Sequence, residues 1–205
     1  MQLTERQKDA LTELINIAFS RTAASLSELT GHRVLLDLPK VAIYATSELP
    51  ARLAEFLPAE LATVHQVFTG PLTGDALLLL NYNGAVMLTD LLTDEALQSR
   101  RLNESAREVL TEVGNILLNA CLGVFGNLLH VRVSFSVPRL HLDTLGSLIR
   151  SLVIDKEELR YALVVYTAFR VRDSAISGYL VIALNVVSLD RLIQEVEKWE
   201  ESQGS

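Results

Sequence analysis

Apolar residues recur every three to four positions along two long stretches of the chain, and short β-like runs follow each stretch. The first stretch predicts a helix from about Thr4 to Leu29, with Thr4 as N-cap, Gln7 three residues on, and Gly31 ending it. The second predicts a helix from about Asn103 to Leu129, where Asn103 is the cap and Ala106 opens the apolar series. Strands are expected at Val34–Leu38, Val41–Ala45, Thr63–Thr69, Ala76–Leu80, Val131–Val137, Ala162–Val171 and Gly178–Leu184. Shorter helices are expected at Glu48–Phe56, Ala85–Leu92 and Leu189–Glu197, with the charged tail from Lys198, including Trp199, fraying beyond the last. Gly70 and Gly74 bracket Pro71-Leu72-Thr73, which reads as a hairpin turn.

The pattern repeats. Glu13 and Asn16 recur as Glu112 and Asn115, and Pro39 recurs as Pro138, each 99 residues later. Gly74 to Asn81 matches Gly178 to Asn185 at a separation of 104, so the second half gains a few residues in between. The same residues in the same order of elements imply a tandem duplication, with repeats of about 1–100 and 101–205. The expected fold is α+β: one pseudo-twofold domain, a largely antiparallel sheet, and two long helices carrying their polar stripes on exposed faces.

Each long helix has two unlike sides at about 100° per residue. In the first, Leu11, Leu14, Ile15, Ala18, Thr22 and Leu29 face the sheet, opposite a stripe of Asp9, Glu13, Asn16 and Ser20. In the second, Leu110, Val113, Leu117, Cys121, Val124 and Leu128 form the core side, opposite Glu108, Glu112, Asn115 and Asn119. Each Glu and Asn pair is spaced i,i+3, so both side chains project from one face. A solvated face would look similar. Yet asparagine competes for backbone hydrogen bonds and is a mediocre helix former, and here it sits mid-helix twice. Ile17 and Leu122 read as an apolar rim beside the stripes, as at a docking surface.

Composition narrows the function. The net charge of −7 and the absence of Lys/Arg runs beyond pairs such as Arg100-Arg101 argue against nucleic-acid binding. The apolar runs Ala76 to Leu80 and Tyr179 to Leu184 are far short of the ~20 residues a spanning helix needs. With no signal-like N-terminus, this predicts a cytoplasmic protein without membrane insertion. A single cysteine, Cys121, excludes an internal disulfide and multi-cysteine metal sites; on its helix's apolar side it reads as a buried thiol. His32, His65, His130 and His141 have no metal-ligand spacing, so no metal site is assigned, and G-x-S-x-G and Walker patterns are absent.

The segments Asp9-x3-Glu13-x2-Asn16-x22-Pro39 and Glu108-x3-Glu112-x2-Asn115-x22-Pro138 resemble the signature of the CheC/CheX/FliY phosphatases of chemotaxis, over essentially the whole chain. Two intact motifs resemble CheC rather than CheX, and 205 residues leave no room for the switch-binding domain that FliY adds. The second motif departs from the family pattern by opening on Glu108 rather than Asp or Ser, and Ala18-Phe19-Ser20 replaces the Gly-rich stretch of many relatives. The resemblance implies a phosphatase acting on the aspartyl-phosphate of a CheY-like response regulator. Asn16 and Asn115 would each orient the attacking water, and Glu13 and Glu112 would pair with a receiver lysine. Asp9, Ser20, Glu108 and Asn119 would make rim contacts with the partner. The protein would need no cofactor of its own, since the receiver brings a divalent metal, Mg2+. The alternative is a non-catalytic adaptor binding a receiver or the receptor deamidase CheD.

Overall fold

The computed structural model describes residues 3–57, 60–71, 73–93, 102–128, 130–144, 146–148, 159–171 and 174–203. The long helices follow their local chemistry. Helix α1 (Glu5–Thr30) starts at a capping box: Thr4 Oγ1 accepts from Gln7 N at 3.2 Å, and Gln7 Oε1 accepts from Thr4 N at 2.8 Å. Gly31 ends it in the left-handed region at φ 67, where a Cβ would be strained. Helix α4 (Glu104–Leu128) is capped by Asn103, whose Oδ1 accepts from Ala106 N at 2.7 Å.

Among the described residues, eight antiparallel strands form one sheet: β1 (Val34–Leu36), β2 (Lys40–Ala45), β3 (Glu60–Thr69), β4 (Gly74–Asn81), β5 (Ser134–Phe135), β6 (Arg139–Thr144), β7 (Leu159–Val171) and β8 (Ser174–Asn185). The path is β1-β7-β8-β4-β3-β5, with β2 also on β7 and β6 also on β3. The order reads alike from both ends: two short edge strands, a long strand, a central strand. At the centre Leu77 pairs with Val181, residues 104 apart, the same separation as Gly74 from Gly178. The edges depart from that symmetry. Arg139 faces His65, but Lys40 faces Tyr166, two residues beyond the place equivalent to His65.

Helices α1, α3 (Tyr82–Thr93), α4 and α5 (Val186–Gln203) cover one face of the sheet. Their core includes Leu11, Ile15, Leu110 and Leu117 against Val64, Leu78, Val165 and Ile182, all buried. The other face carries a smaller cluster, in which Leu49 and Leu53 of α2 (Leu49–Ala54) pack with Leu77, Leu79 and Val181. Strand β4 is buried on both faces, which is why Ala76 to Leu80 is apolar without alternation. Helix α4 is long and apolar enough to cross a membrane, but half of that stretch is buried inside this fold.

Several sequence expectations are corrected. The run Val131–Val137 pairs only at Ser134–Phe135, and the longer strand follows it at Arg139–Thr144. The first strand stops at Leu36, and α2 covers Leu49–Ala54 rather than Glu48–Phe56. Charged residues from Lys198 continue α5 to Gln203 instead of fraying: Arg6 Nε meets Glu200 Oε2 at 2.6 Å, Gln7 Nε2 donates to Glu197 Oε1 at 2.8 Å, and Trp199 packs on the core. The hairpin turn lies where expected, with Gly70 at φ 135, although Leu72 is outside the described residues. So are the side chain of Leu29 and the junction between halves near residue 100.

Candidate functional site

On α1, Asp9, Glu13 and Ser20 are exposed and Asn16 is half-buried. On α4, Glu108 and Glu112 are exposed, while Asn115 and Asn119 are half-buried. Each helix therefore presents an exposed carboxylate one turn from an amide held partly in the protein, and four carboxylates make the two stripes acidic. Ile17 lies half-exposed beside its stripe as expected. Leu122 does not: at 3 % exposure it belongs to the core, where it lines a small internal gap with Phe68, Phe125 and Ile182. The second helix is buried over a wider arc than its wheel suggests, because α5 closes on it as well.

The two asparagines differ in their surroundings. Asn16's side chain makes no hydrogen bond among the described residues, and Ser20 Oγ donates to the Asn16 backbone carbonyl at 2.8 Å. Asn115 is braced. Its Oδ1 accepts from Asn119 Nδ2 at 2.8 Å and from Gln66 Nε2 at 3.4 Å, and its Nδ2 faces Glu112 Oε2 at 3.5 Å. Gln66, 1 % exposed on β3, also donates to the Ser136 carbonyl at 3.0 Å, and Ser136 Oγ accepts from Val67 N at 3.0 Å. That ties Asn115 to the loop carrying Pro138.

Close helix–strand approach makes this bracing possible. Gly114 lies against Val64, where a Cβ would come within 2.5 Å of the valine side chain. The first helix has Ile15 at the corresponding place. Sequence reading missed Gln66, Ser136 and Gly114. The one available signal was a glutamine inside the otherwise apolar face formed by Ala62, Val64 and Phe68.

Cys121 and His65 stay apart from both stripes. Cys121 is fully buried, and desolvation pushes its thiol far above the usual range, so it is no nucleophile. His65 donates to Asp75 Oδ1 at 2.8 Å, on the other sheet face. Among the described residues, no group of three or more His, Cys, Asp or Glu side chains could hold a metal ion.

No family model matches the chain. It is 24% identical over 173 residues to the CheY-P phosphatase CheC of Bacillus subtilis (strain 168), covering 81% of each chain. The crystal structure of Thermotoga maritima FliY shares its fold with a TM-score of 0.77 at 20% identity, over 97% of this chain and 99% of that one. The FliM middle domain from H. pylori shares it at 0.67 and 12% identity, over 94% and 99%. The chain thus resembles CheC in sequence and shares its fold with FliY and FliM.

Proposed function

We propose that this protein hydrolyses the aspartyl-phosphate of a CheY-like receiver domain, at one or both of its Glu/Asn pairs. The observation that carries the proposal is the repeated presentation of an exposed glutamate beside a half-buried asparagine on the outer face of each long helix. Asparagine offers both donor and acceptor, which suits it to hold a water in line with phosphorus without acting as a base. Acyl phosphates hydrolyse unaided, so a gain of ~10² needs only ~2.7 kcal/mol from positioning. Glu13 or Glu112 would pair with a receiver lysine and set the docking register. Asp9, Ser20 and Glu108 would contact the partner around each pair. The receiver would bring the divalent metal, and the protein would act in the cytoplasm.

We infer also that the halves, about 1–100 and 101–205, are repeats of one unit within a single domain. The recurring order of elements and the pairing of Leu77 with Val181 support that reading.

Release of phosphate from a phosphorylated CheY receiver tests the function, with Asn16→Ala, Asn115→Ala and the double variant beside wild type. Acceleration by wild type and its loss in the double variant is the expected result. Binding of the phosphorylated receiver with no change in its lifetime would refute catalysis. It would leave the second reading, an adaptor for a receiver or for CheD.

A further inference from the structure

We infer that Gln66 is a positioning residue for Asn115, and that it makes the two sites unequal by presetting the second asparagine. This rests on the phosphatase reading above. Gln66 and Asn119 both donate to Asn115 Oδ1, so the oxygen is turned inward and the Nδ2 group is presented outward beside Glu112. An amide fixed in one orientation meets the attacking water without first losing rotamer freedom. Asn16 has no such bracket. Gln66 pairs with Ala76 in its hairpin, and the residue at the same place in the other hairpin, opposite Leu180, is Val165, which has no polar group. Asn119 likewise has Ser20 as its counterpart, and that hydroxyl is spent on its own helix backbone.

The bracket is not fully satisfied internally. Gln66 Oε1 and Asn119 Oδ1 are buried with no hydrogen-bond partner among the described residues. A buried strand position tolerates such a cost only where something is gained. Valine serves at the corresponding place in β7, so packing alone does not demand glutamine there.

The test isolates each site. Asn16→Ala leaves only the second site, and Asn115→Ala leaves only the first. Gln66→Met, which keeps the volume and removes the donor, is added to each background, with a CheY receiver phosphorylated by acetyl phosphate as probe. In the Asn16→Ala background kcat falls roughly five- to tenfold, the scale of one net hydrogen bond, while KM stays the same because the exposed rim is untouched. Asn119→Ser, a change at a half-buried position, lowers kcat in the same direction and guards against a folding defect in the core variant. In the Asn115→Ala background Gln66→Met removes nothing further.

Equal losses in both backgrounds would mean general damage and would overturn the inference. So would an active Asn16→Ala protein whose kcat ignores both Gln66→Met and Asn119→Ser, and that outcome would leave the phosphatase reading intact. If neither single-site parent nor wild type shortens the receiver's phosphorylated lifetime, the phosphatase reading falls and takes this inference with it.

Discussion

Replacing Gly114 by alanine should destabilise the protein, although alanine is the better helix former. A Cβ there would lie 2.5, 2.6 and 2.8 Å from Val64 Cγ1, Cβ and Cγ2, against roughly 3.5–4.0 Å for comfortable carbon contact. Val64 cannot rotate clear, because its own Cβ is among the clashing atoms. Nor can its backbone retreat, since β3 is paired on both sides there, Val64 with Leu78 and with Leu140. The helix must move, at the ~1–3 kcal/mol typical of overpacking. The Gly→Ala propensity gain returns up to about 1 kcal/mol, which leaves a net loss of up to about 2 kcal/mol. For a chain of this size that lowers Tm by up to roughly 8 °C. Gly123 in the same helix supplies the control, since a Cβ there would meet nothing within 4 Å. Gly123→Ala keeps the propensity gain alone and should raise Tm by about 2–4 °C. Thermal unfolding of the two variants beside wild type decides the matter. A Gly114→Ala protein at least as stable as wild type would refute the close approach of α4 to β3, and with it the reach of Asn115 to Gln66.

Four further expectations follow from the same geometry. Glu112→Gln in an Asn16→Ala background should raise KM for the phosphorylated receiver more than it lowers kcat, because a docking charge acts in ground and transition states alike; steady-state kinetics checks this. Thr4→Ala should cost about 1 kcal/mol by removing half of a capping box, visible as a lower urea midpoint at unchanged m. Cys121 should resist thiol reagents in the native protein and react only on unfolding, since burial raises its pKa and hides its sulfur; a thiol titration at neutral pH with and without denaturant reads this directly. Ending the chain after Glu197 should lower Tm measurably, through lost Trp199 packing of roughly 1–3 kcal/mol, whereas a fraying tail would make no difference.

What could be read from sequence divides along physical lines. Both N-caps and the Gly31 stop were legible because each is chemistry within four residues of chain. The central strands were legible because burial on both faces leaves an unbroken apolar run. Strand β6 was not. Its residues, Arg139-Leu-His-Leu-Asp-Thr144, hold a strand through pairing with β3 at an otherwise open edge rather than by propensity. The last turns of α5 were missed for a similar reason, because their partners Arg6 and Gln7 stand at the other end of the chain. The Glu and Asn stripes could be placed from spacing alone. Their inequality could not, since Gln66 reaches Asn115 only once β3 lies under α4.

The edge strands carry one more consequence, in time rather than space. β1 and β2 complete their hydrogen bonds on β7, and Asp37 accepts from Thr167, 130 residues later in the chain. At a synthesis rate of roughly 5–20 residues per second, the first edge waits on the order of 7–25 s for its strand to emerge from the ribosome. The β3–β4 hairpin can form at once, but its neighbours on both sides, β8 and β5–β6, belong to the second half. The nascent N-terminal half therefore holds a two-stranded ribbon with both edges open, too little sheet to stand alone. The sheet cannot close until β7 and β8 have emerged, and until then the hairpin's open edges depend on whatever shields them.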